Sequence, residues 1–275
     1  SAIQNIMKPL LEAINTNPLI NKKLFQINFR AVNQIVLVTL IYHKQLDQNW
    51  LESARIIETK LDINVLGRSK NQLLATHLTE LEQYIDINPS YYLYQNDKTF
   101  YQPNAFLMPK MVKLVISLIE NPRDLLELYC GSGTFTIPLS YSFKNVFATE
   151  NNRESISYLK KSIHKNHIKN IFYARLSDIE LMDAYKGRIF RRLENIDLKN
   201  FNFSHVLVDP PRSGLSHNVT EILNKFENII YISCNPDTFK RDLDKLKDYR
   251  IKKLEVFDQF SNTPHLELIA LLIKR

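Results

Sequence analysis

The chain of 275 residues is 44% hydrophobic, which is enough apolar material for one large domain or two modest ones. Its net charge of +7 makes nucleic acid a candidate partner through phosphate contacts, although charge alone does not decide this. No apolar run reaches membrane-spanning length, two cysteines make no disulfide framework, and no Cys/His cluster has zinc spacing, so we expect a reduced, cytoplasmic setting without a metal.

Residues 1–96 are predicted to form a smaller α/β domain. Apolar spacing at helical period and alternation at strand period both occur in this region, without an internal repeat. Ser1 in place of methionine leads us to expect further residues upstream. The predicted elements are a helix over 2–14, paired strands at 24–29 and 32–42, a helix over 47–61 capped by Asp47, and a strand at 63–66 ended by Gly67.

Residues 97–275 are predicted to form a doubly wound α/β domain, because helical patterns alternate with short buried strands, as in a mostly parallel sheet. The last two strands lie too close together for a full helix between them, so we expect an antiparallel pair at the C-terminal edge. The predicted elements are helix 104–120, strands 125–129 and 146–150, helix 153–166, strands 170–174 and 204–208, helix 217–226, strand 228–233, helix 237–247, and strands 251–257 and 266–273.

A glycine-bearing turn follows the strand that ends at Tyr129. Gly131 and Gly133 allow a tight turn and a close ligand approach, but Thr136 replaces the third glycine of the dinucleotide fingerprint. A nucleoside cofactor without a pyrophosphate therefore fits better. Glu150 closes the next strand, where a carboxylate can accept hydrogen bonds from both ribose hydroxyls. The alternative is a structural turn beside an exposed acid.

Three further candidates lie where a strand meets a loop. Asp209 ends a strand and precedes two prolines, which stiffen the loop, although a rigid turn with a solvated acid is the alternative. Cys234 follows strand 228–233 and could act as a soft nucleophile, whereas a lone cysteine is more often a small buried side chain. Glu267 enters the last strand, where burial would raise its pKa and suit proton abstraction; the alternative is a salt bridge.

Five motifs in one order then give the chain a specific resemblance. They are Phe100-Tyr101-Gln102-Pro103-Asn104, Leu128-Tyr129-Cys130-Gly131-Ser132-Gly133, Val208-Asp209-Pro210-Pro211-Arg212-Ser213-Gly214, Tyr231-Ile232-Ser233-Cys234-Asn235-Pro236, and Phe257-Asp258-Gln259-Phe260-Ser261-Asn262-Thr263-Pro264-His265-Leu266-Glu267. With them the chain resembles the S-adenosylmethionine-dependent RNA uracil-C5 methyltransferases, and among these the enzymes that act on tRNA. The fold implied is the Rossmann-like class I methyltransferase fold with a reversed last strand, plus a smaller N-terminal α/β RNA-binding domain.

The resemblance implies a reaction and a set of residues. Cys234 would be the nucleophile that adds to uracil C6, and Glu267 the base that removes the C5 proton, to form 5-methyluridine at the T-loop uridine, position 54. Arg212 stands where amino-group methyltransferases often have a stacking aromatic, which argues against methylation of an exocyclic amine. The S-adenosylmethionine site would be lined by Gln102, Tyr129, Thr134, Glu150 and Asp209, with Thr134 where the family often has asparagine.

The expected partner is the T-arm of tRNA, bound by a monomer without an iron–sulfur cluster. Ribosomal RNA methylation by the same mechanism is one alternative, and a non-catalytic tRNA-binding or tRNA-folding protein is another. The target base must leave its stack, and Tyr91, Tyr92 and Tyr94 are candidate stacking surfaces. Candidate phosphate contacts are His43, Lys44, Arg68 and Lys70.

Overall fold

The structure is a computed structural model that describes residues 2–260, 262, 263 and 265–275. Ser261 and Pro264, which belong to the motif before Glu267, lie outside the described residues. The chain divides into two compact units, Ser1–Gln83 with Tyr94–Thr99 and Tyr84–Leu93 with Phe100–Arg275. The domains proposed from the sequence, 1–96 and 97–275, stay a prediction. Within the described ranges, no helix combines the length and the hydrophobicity that crossing a bilayer requires.

The smaller unit is built on a four-stranded sheet in the order β1-β2-β3-β4. Neighbouring strands are antiparallel except β2 and β3, which run parallel because α3 carries the chain back between them. The elements are α1 (Ala2–Asn15), α2 (Pro18–Asn21), β1 (Leu24–Val32), β2 (Ile35–Tyr42), α3 (Gln48–Leu61), β3 (Asn64–Ser69) and β4 (Gln72–Ala75).

Two predicted boundaries in this unit were wrong. Val32 belongs to β1, since the hairpin turns at Asn33, which has a positive φ of 56°. Gly67 does not end its strand but lies inside β3. A Cβ at Gly67 would stand 2.3 Å from Cη2 of Trp50, so the glycine makes room for this buried side chain. The predicted helix cap is confirmed, because the Asp47 side chain accepts a hydrogen bond from the Trp50 N–H at 2.8 Å.

The larger unit is built on a seven-stranded sheet in the order β12-β13-β11-β10-β7-β8-β9, while β5 (Leu81–Ile85) and β6 (Tyr91–Gln95) form a separate two-stranded sheet. Two short 3-10 helices, Arg191–Leu193 and Leu198–Asn200, precede β10. The remaining elements are α4 (Met108–Ser117), β7 (Asp124–Leu128), α5 (Thr136–Leu139), β8 (Asn145–Glu150), α6 (Arg153–Lys165), β9 (Ile171–Arg175), α7 (Asp178–Tyr185), β10 (Phe203–Val208), α8 (His217–Leu223), β11 (Asn228–Ser233), α9 (Pro236–Leu243), β12 (Tyr249–Phe257) and β13 (Glu267–Lys274).

The predicted fold class is confirmed by this sheet. Strands β7 to β11 pair in parallel, whereas β13 is antiparallel to both of its neighbours, β11 and β12. Successive strand residues face opposite sides, so Leu125 joins one hydrophobic cluster and Leu126 the other. Helices α4 and α6 pack into the first cluster, and α7, α8 and α9 into the second. Because helices cover both faces, the strands are buried and their ends remain free to carry polar residues.

Several helices differ in length from their predicted ranges. Helix 104–120 shortens to α4, since the Asn104 side chain accepts from the N–H groups of Phe106 at 3.1 Å and Leu107 at 3.2 Å and forms a turn there. The short helix α7 was missed, although Ser177 and Glu180 form a complete capping box at its start.

Candidate active site

Most of the residues predicted for the site lie at one edge of the large sheet. Parallel strands β7, β8, β10 and β11 end there, and we call it the carboxyl edge. Strand β13 runs in the opposite direction, so its first residue, Glu267, lies at this edge as well. Antiparallel pairing joins Ser233, the last residue of β11, to Leu268; Cys234 directly follows Ser233, and Glu267 directly precedes Leu268. The reversed strand therefore brings the predicted nucleophile and base together.

Cys234 sits between the end of β11 and the start of α9. The Asn235 side chain caps this helix by accepting from the Asp237 N–H at 3.0 Å, and Pro236 occupies the first turn. The thiol is free and half-buried. Burial raises its pKa above the usual value, and the carboxyl groups of Glu267 and Asp209 act in the same direction, whereas the Arg212 guanidinium lowers it.

Glu267 and Asp209 are two acids that act on the pKa of this thiol. Glu267 is only 2% exposed, and burial raises its pKa to about 8, with a further contribution from Asp209. Asp209 is half-buried as a residue, and the enclosed position of its carboxyl raises the pKa to about 7. Both groups therefore hold a proton more firmly than an ordinary acid, in the direction that the sequence predicted for Glu267.

A small cleft lies at the same carboxyl edge, between the loops after β7, β8 and β9. Its volume is about 110 Å³, and it is lined by Leu128, Tyr129, Thr149, Glu150, Asn151, Leu176, Ser177 and Asp178. Glu150 is held in place by two backbone donors, Gly131 N–H at 3.1 Å and Asn152 N–H at 2.7 Å. Each carboxylate oxygen keeps a lone pair for another donor, so Glu150 fits the role of a ribose acceptor.

The glycine turn adjoins the cleft, because its Gly131 N–H donates to Glu150 in the lining. Gly133 has a φ of 100°, and a Cβ there would stand 2.7 Å from Cδ1 of Leu159, so only glycine fits. At Gly131, with a φ of 56°, an added Cβ would meet nothing within 4 Å, which leaves the space above the turn open. This open space next to Glu150 suits a nucleoside cofactor such as S-adenosylmethionine.

Three of the predicted cofactor residues, Gln102, Thr134 and Asp209, lie outside the lining of this cleft. Gln102 is 7% exposed and accepts a hydrogen bond from the Gln259 side-chain amide at 2.7 Å. This bond ties the Phe100–Asn104 motif to the loop that leads from β12 to Glu267. Thr134 is half-buried on the glycine turn.

Sequence reasoning missed three polar residues at this edge. Asp178 lines the cleft directly after β9, and the rule that active-site groups follow parallel strands would have found it. Glu127, on β7, is 1% exposed, and burial raises its pKa to about 8. One oxygen of Glu127 and the Oε1 atom of Gln259 are buried without a hydrogen-bond partner, so both are available to a bound molecule. No group of three potential metal ligands occurs among the described residues.

The four predicted phosphate contacts come together in the smaller unit. His43, Lys44, Arg68 and Lys70 line one open groove of about 1220 Å³, which we call the basic groove. Lys98 lines it as well. The exposed ring of Phe25 lies against that of His43, with centroids 4.5 Å apart. This surface therefore combines cations with an exposed aromatic pair, the composition that single-stranded nucleic acids require.

The predicted tyrosine surface is less suitable. Tyr91 is 0% exposed and belongs to the core, so its assignment as a stacking surface was wrong. Tyr92 packs against Tyr84 with ring centroids 5.1 Å apart, and Lys165 lies over its ring. Tyr94 donates a hydrogen bond to Glu82.

Comparison with known proteins gives consistent results over nearly the whole chain. The profile of the family described as tRNA (Uracil-5-)-methyltransferase matches residues 1–275. The tRNA/tmRNA (uracil-C(5))-methyltransferase of Campylobacter concisus is 43% identical over 273 residues, which are 98% of this chain and 74% of that protein. The protein of the same name from Saccharophagus degradans is 41% identical over 99% of this chain and 76% of its own length.

A solved structure shares the fold. It is the tRNA (uracil-54, C5)-methyltransferase of Pyrococcus abyssi in complex with S-adenosyl-L-homocysteine. The TM-score is 0.76 at 23% identity, over 99% of this chain and 67% of that one.

Proposed function

The chain belongs to the tRNA (uracil-5-)-methyltransferase family, and from this premise we propose that it methylates C5 of the T-loop uridine of tRNA, position 54, in the cytoplasm. Family membership confirms the expected enzyme class and the methyl donor, S-adenosylmethionine. One observation carries the proposal. Cys234 and Glu267 lie next to each other in the strand register at the carboxyl edge, where Tyr129 and Glu150 line a cleft.

Cys234 is proposed to start the reaction. Uracil C5 is a poor nucleophile while the ring stays conjugated. Addition of the Cys234 thiolate to C6 forms a sulfur–carbon bond and moves the ring electrons onto C5 and O4, so that C5 becomes enolate-like. When bound, S-adenosylmethionine would supply an electrophilic methyl group for C5 and leave as S-adenosylhomocysteine. The half-buried position leaves the thiol within reach of a flipped base and shields it from bulk water.

Glu267 is proposed to complete the reaction. After methylation, C5 carries both a methyl group and a hydrogen, and the ring can become conjugated again only if that proton leaves. The Glu267 carboxylate takes the proton, the C5–C6 double bond re-forms, and the Cys234 sulfur departs with its bonding electrons. A pKa near 8 makes this carboxylate a stronger base than an exposed one, at the cost of a smaller ionised fraction at neutral pH.

The cofactor would be held by the residues around the cleft. Glu150 is proposed to accept from the ribose hydroxyls, with Tyr129 lining the same cleft, and Asp209 is proposed as a further contact of the cofactor. Gln102, fixed by Gln259, and Thr134 are proposed to contact the part of the cofactor nearest the methyl group. The unpartnered oxygens of Glu127 and Gln259 support a polar ligand at this edge.

The basic groove is proposed as a docking surface for the T-arm. His43 and Phe25 offer an aromatic pair to an unstacked base, and Lys70 is an exposed cation for a phosphate. Arg68 forms an ion pair with Asp97 at 2.7 Å, and Lys44 donates to the Leu19 carbonyl at 2.7 Å. These two side chains are therefore fixed in position before RNA arrives.

A methyl-transfer assay tests the proposed function. Transcribed tRNA, the same tRNA with the T-loop uridine changed to cytidine, and a ribosomal RNA fragment rich in uridine receive labelled methyl groups from S-adenosylmethionine. We expect labelling of the first RNA alone. Labelling of the ribosomal fragment in its place would favour the ribosomal alternative. Binding of tRNA without any transfer would favour a non-catalytic role.

A further inference from the structure

A buried carboxylate outside all five motifs joins the helix that follows Cys234 to the loop that follows Asp209. Asp242 lies on α9, the helix that begins directly after Cys234, and it is 0% exposed. Its Oδ2 atom accepts from the backbone N–H of Leu215 at 2.7 Å and from the Tyr231 hydroxyl at 2.9 Å. Its Oδ1 atom accepts from Arg241 at 2.8 Å and from Lys245 at 3.3 Å. The charge of Asp242 is therefore neutralised, and its hydrogen bonds reach three separate elements.

The loop that Asp242 holds is the one that follows Asp209. We call residues 210–215 the arginine turn, after Arg212. Besides the bond from Leu215, the turn is held through two of its carbonyl groups. The Arg212 carbonyl accepts from the Asn235 side-chain amide at 3.3 Å and from the Thr238 hydroxyl at 3.4 Å. The Ser213 carbonyl accepts from Arg241 at 2.8 Å.

The contact between turn and helix is as close as a backbone permits. Gly214 has a φ of 75°, and a Cβ at this position would stand 2.5 Å from an oxygen of Asp242 and 2.5 Å from a guanidinium nitrogen of Arg241. Only glycine fits there. The arginine turn is therefore built to rest on α9 at Asp242 and Arg241.

The arginine turn is important for the chemistry because it carries Arg212, the cation that lowers the pKa of the Cys234 thiol. Three charged groups act on the pKa of the Cys234 thiol: Glu267 from β13 and Asp209 from the end of β10 raise it, and Arg212 from the arginine turn lowers it. Two of these groups are acids, and each disfavours a thiolate. Arg212 supplies the opposite charge, and its backbone is bonded to Asn235, the neighbour of Cys234.

We propose that Asp242 is a positioning residue of this site: it fastens the arginine turn to α9 and thereby holds the Arg212 guanidinium beside the sulfur of Cys234. The inference deepens the proposed function, on which it rests for the role of the thiolate. Arg212 itself is exposed, so its side chain can adopt several conformations in solvent. A fixed backbone reduces the number of positions that its guanidinium can reach.

The sign of the effect separates positioning from a direct field effect. Removal of a nearby anion, by itself, makes a thiolate easier to form and lowers the pKa of the thiol. Release of the arginine turn moves the Arg212 cation away from the sulfur and therefore raises the pKa of the thiol. Asp242→Asn removes the charge but keeps an oxygen that can accept from Leu215 and Tyr231. Asp242→Ser removes the charge and is too short to reach them.

The experiment follows alkylation of Cys234 by iodoacetamide against pH, in the full chain without RNA or cofactor. Only the thiolate reacts, so the pH at which the alkylation rate reaches half of its maximum, called the midpoint below, reports on thiolate formation. The modified peptide is quantified by mass spectrometry, since Cys130 is a second, buried cysteine. We expect Arg212→Met to raise the midpoint by about one pH unit. Asp242→Ser is expected to raise it in the same direction, and Asp242→Asn to leave it at or below the wild-type value.

The double variant shows whether Asp242 acts through Arg212. If it does, Asp242→Ser adds no further shift to Arg212→Met. An unchanged midpoint in Arg212→Met, or a midpoint in Asp242→Ser no higher than in Asp242→Asn, overturns the proposal. Circular dichroism checks that the variants fold. If Asp242→Ser does not fold, Asp242→Glu replaces it, because the longer side chain displaces the carboxylate oxygens by one methylene. The midpoint of Asp242→Glu is likewise expected to rise. Because the alkylation experiment contains no RNA, its failure can be distinguished from a failure of the wild-type protein to transfer methyl groups.

Discussion

Cys234 and Glu267 are neighbours across two antiparallel strands, one residue beyond the pair formed by Ser233 and Leu268. The arrangement depends on β13 running against β11, because a parallel strand would bring its last residue to this edge and its first residue to the other. A covalent mechanism requires sulfur and base on one substrate double bond. The reversed strand supplies that proximity from residues far apart in sequence.

Replacement of Cys234 by alanine tests the nucleophile. We expect methyl transfer to fall by at least about 10³-fold, because the other cysteine of the chain, Cys130, is buried. Affinity for tRNA should stay close to that of the wild type. The matched control is Cys130→Ala, which removes a buried thiol that packs in the core and should keep most of the activity. Substantial turnover by Cys234→Ala would exclude the covalent route.

Replacement of Glu267 by glutamine tests the base. The amide cannot accept the C5 proton, so the methylated base should remain bonded to Cys234. A slowly migrating protein–RNA band on a denaturing gel, labelled from the methyl group of S-adenosylmethionine, is the expected result. The band should be absent from the double variant with Cys234→Ala. Normal turnover by Glu267→Gln would assign the proton to another group.

The pKa of Glu267 predicts a pH profile. Proton abstraction needs the carboxylate, and burial holds the pKa at about 8, so the rate of product release from the adduct should rise with pH and level off above that value. The pKa of Cys234 is also raised, by burial and by Glu267 and Asp209, which places a second rising limb in the overall rate. Single-turnover measurements across the neutral and alkaline range separate the two steps. A rate independent of pH would contradict both assignments.

How far the sequence predicts this site depends on what each residue needs. Cys234, Asp209 and Glu150 stand where a buried strand meets a loop, and that junction is visible in the order of side chains. Asp242 could not be found in this way, because its role exists only where α9, β11 and the arginine turn meet. The packing of Trp50 against Gly67 is similarly a tertiary contact, so the glycine was misread as a strand end. Tyr91 looked like one of three equivalent tyrosines, and only the fold shows that it is buried.

The raised pKa of Glu267 also predicts that this residue destabilises the folded state at high pH. The folded state keeps this proton until about pH 8, whereas an unfolded glutamate loses it near its ordinary pKa of 4.5. Between these values the folded state binds more protons, so the free energy of unfolding declines as pH rises. Asp209, with a pKa of about 7, contributes in the same direction. Glu267→Gln lacks the first contribution, and urea unfolding at about pH 5 and about pH 9 should show the variant gaining relative stability at the higher pH.

The basic groove predicts a charge-dependent affinity for tRNA. Lys70 is exposed and lines the groove, whereas Lys8 is an equally exposed lysine of the same unit, on α1, outside it. Each phosphate contact releases about one counterion, so Lys70→Gln should weaken binding and reduce the slope of log affinity against log salt by about one. Lys8→Gln changes the net charge equally and should leave that slope unchanged. Filter binding at several salt concentrations measures both variants against the wild type. Equal slopes for all three proteins would show that phosphates do not contact Lys70, and the docking surface would then have to be sought outside the groove.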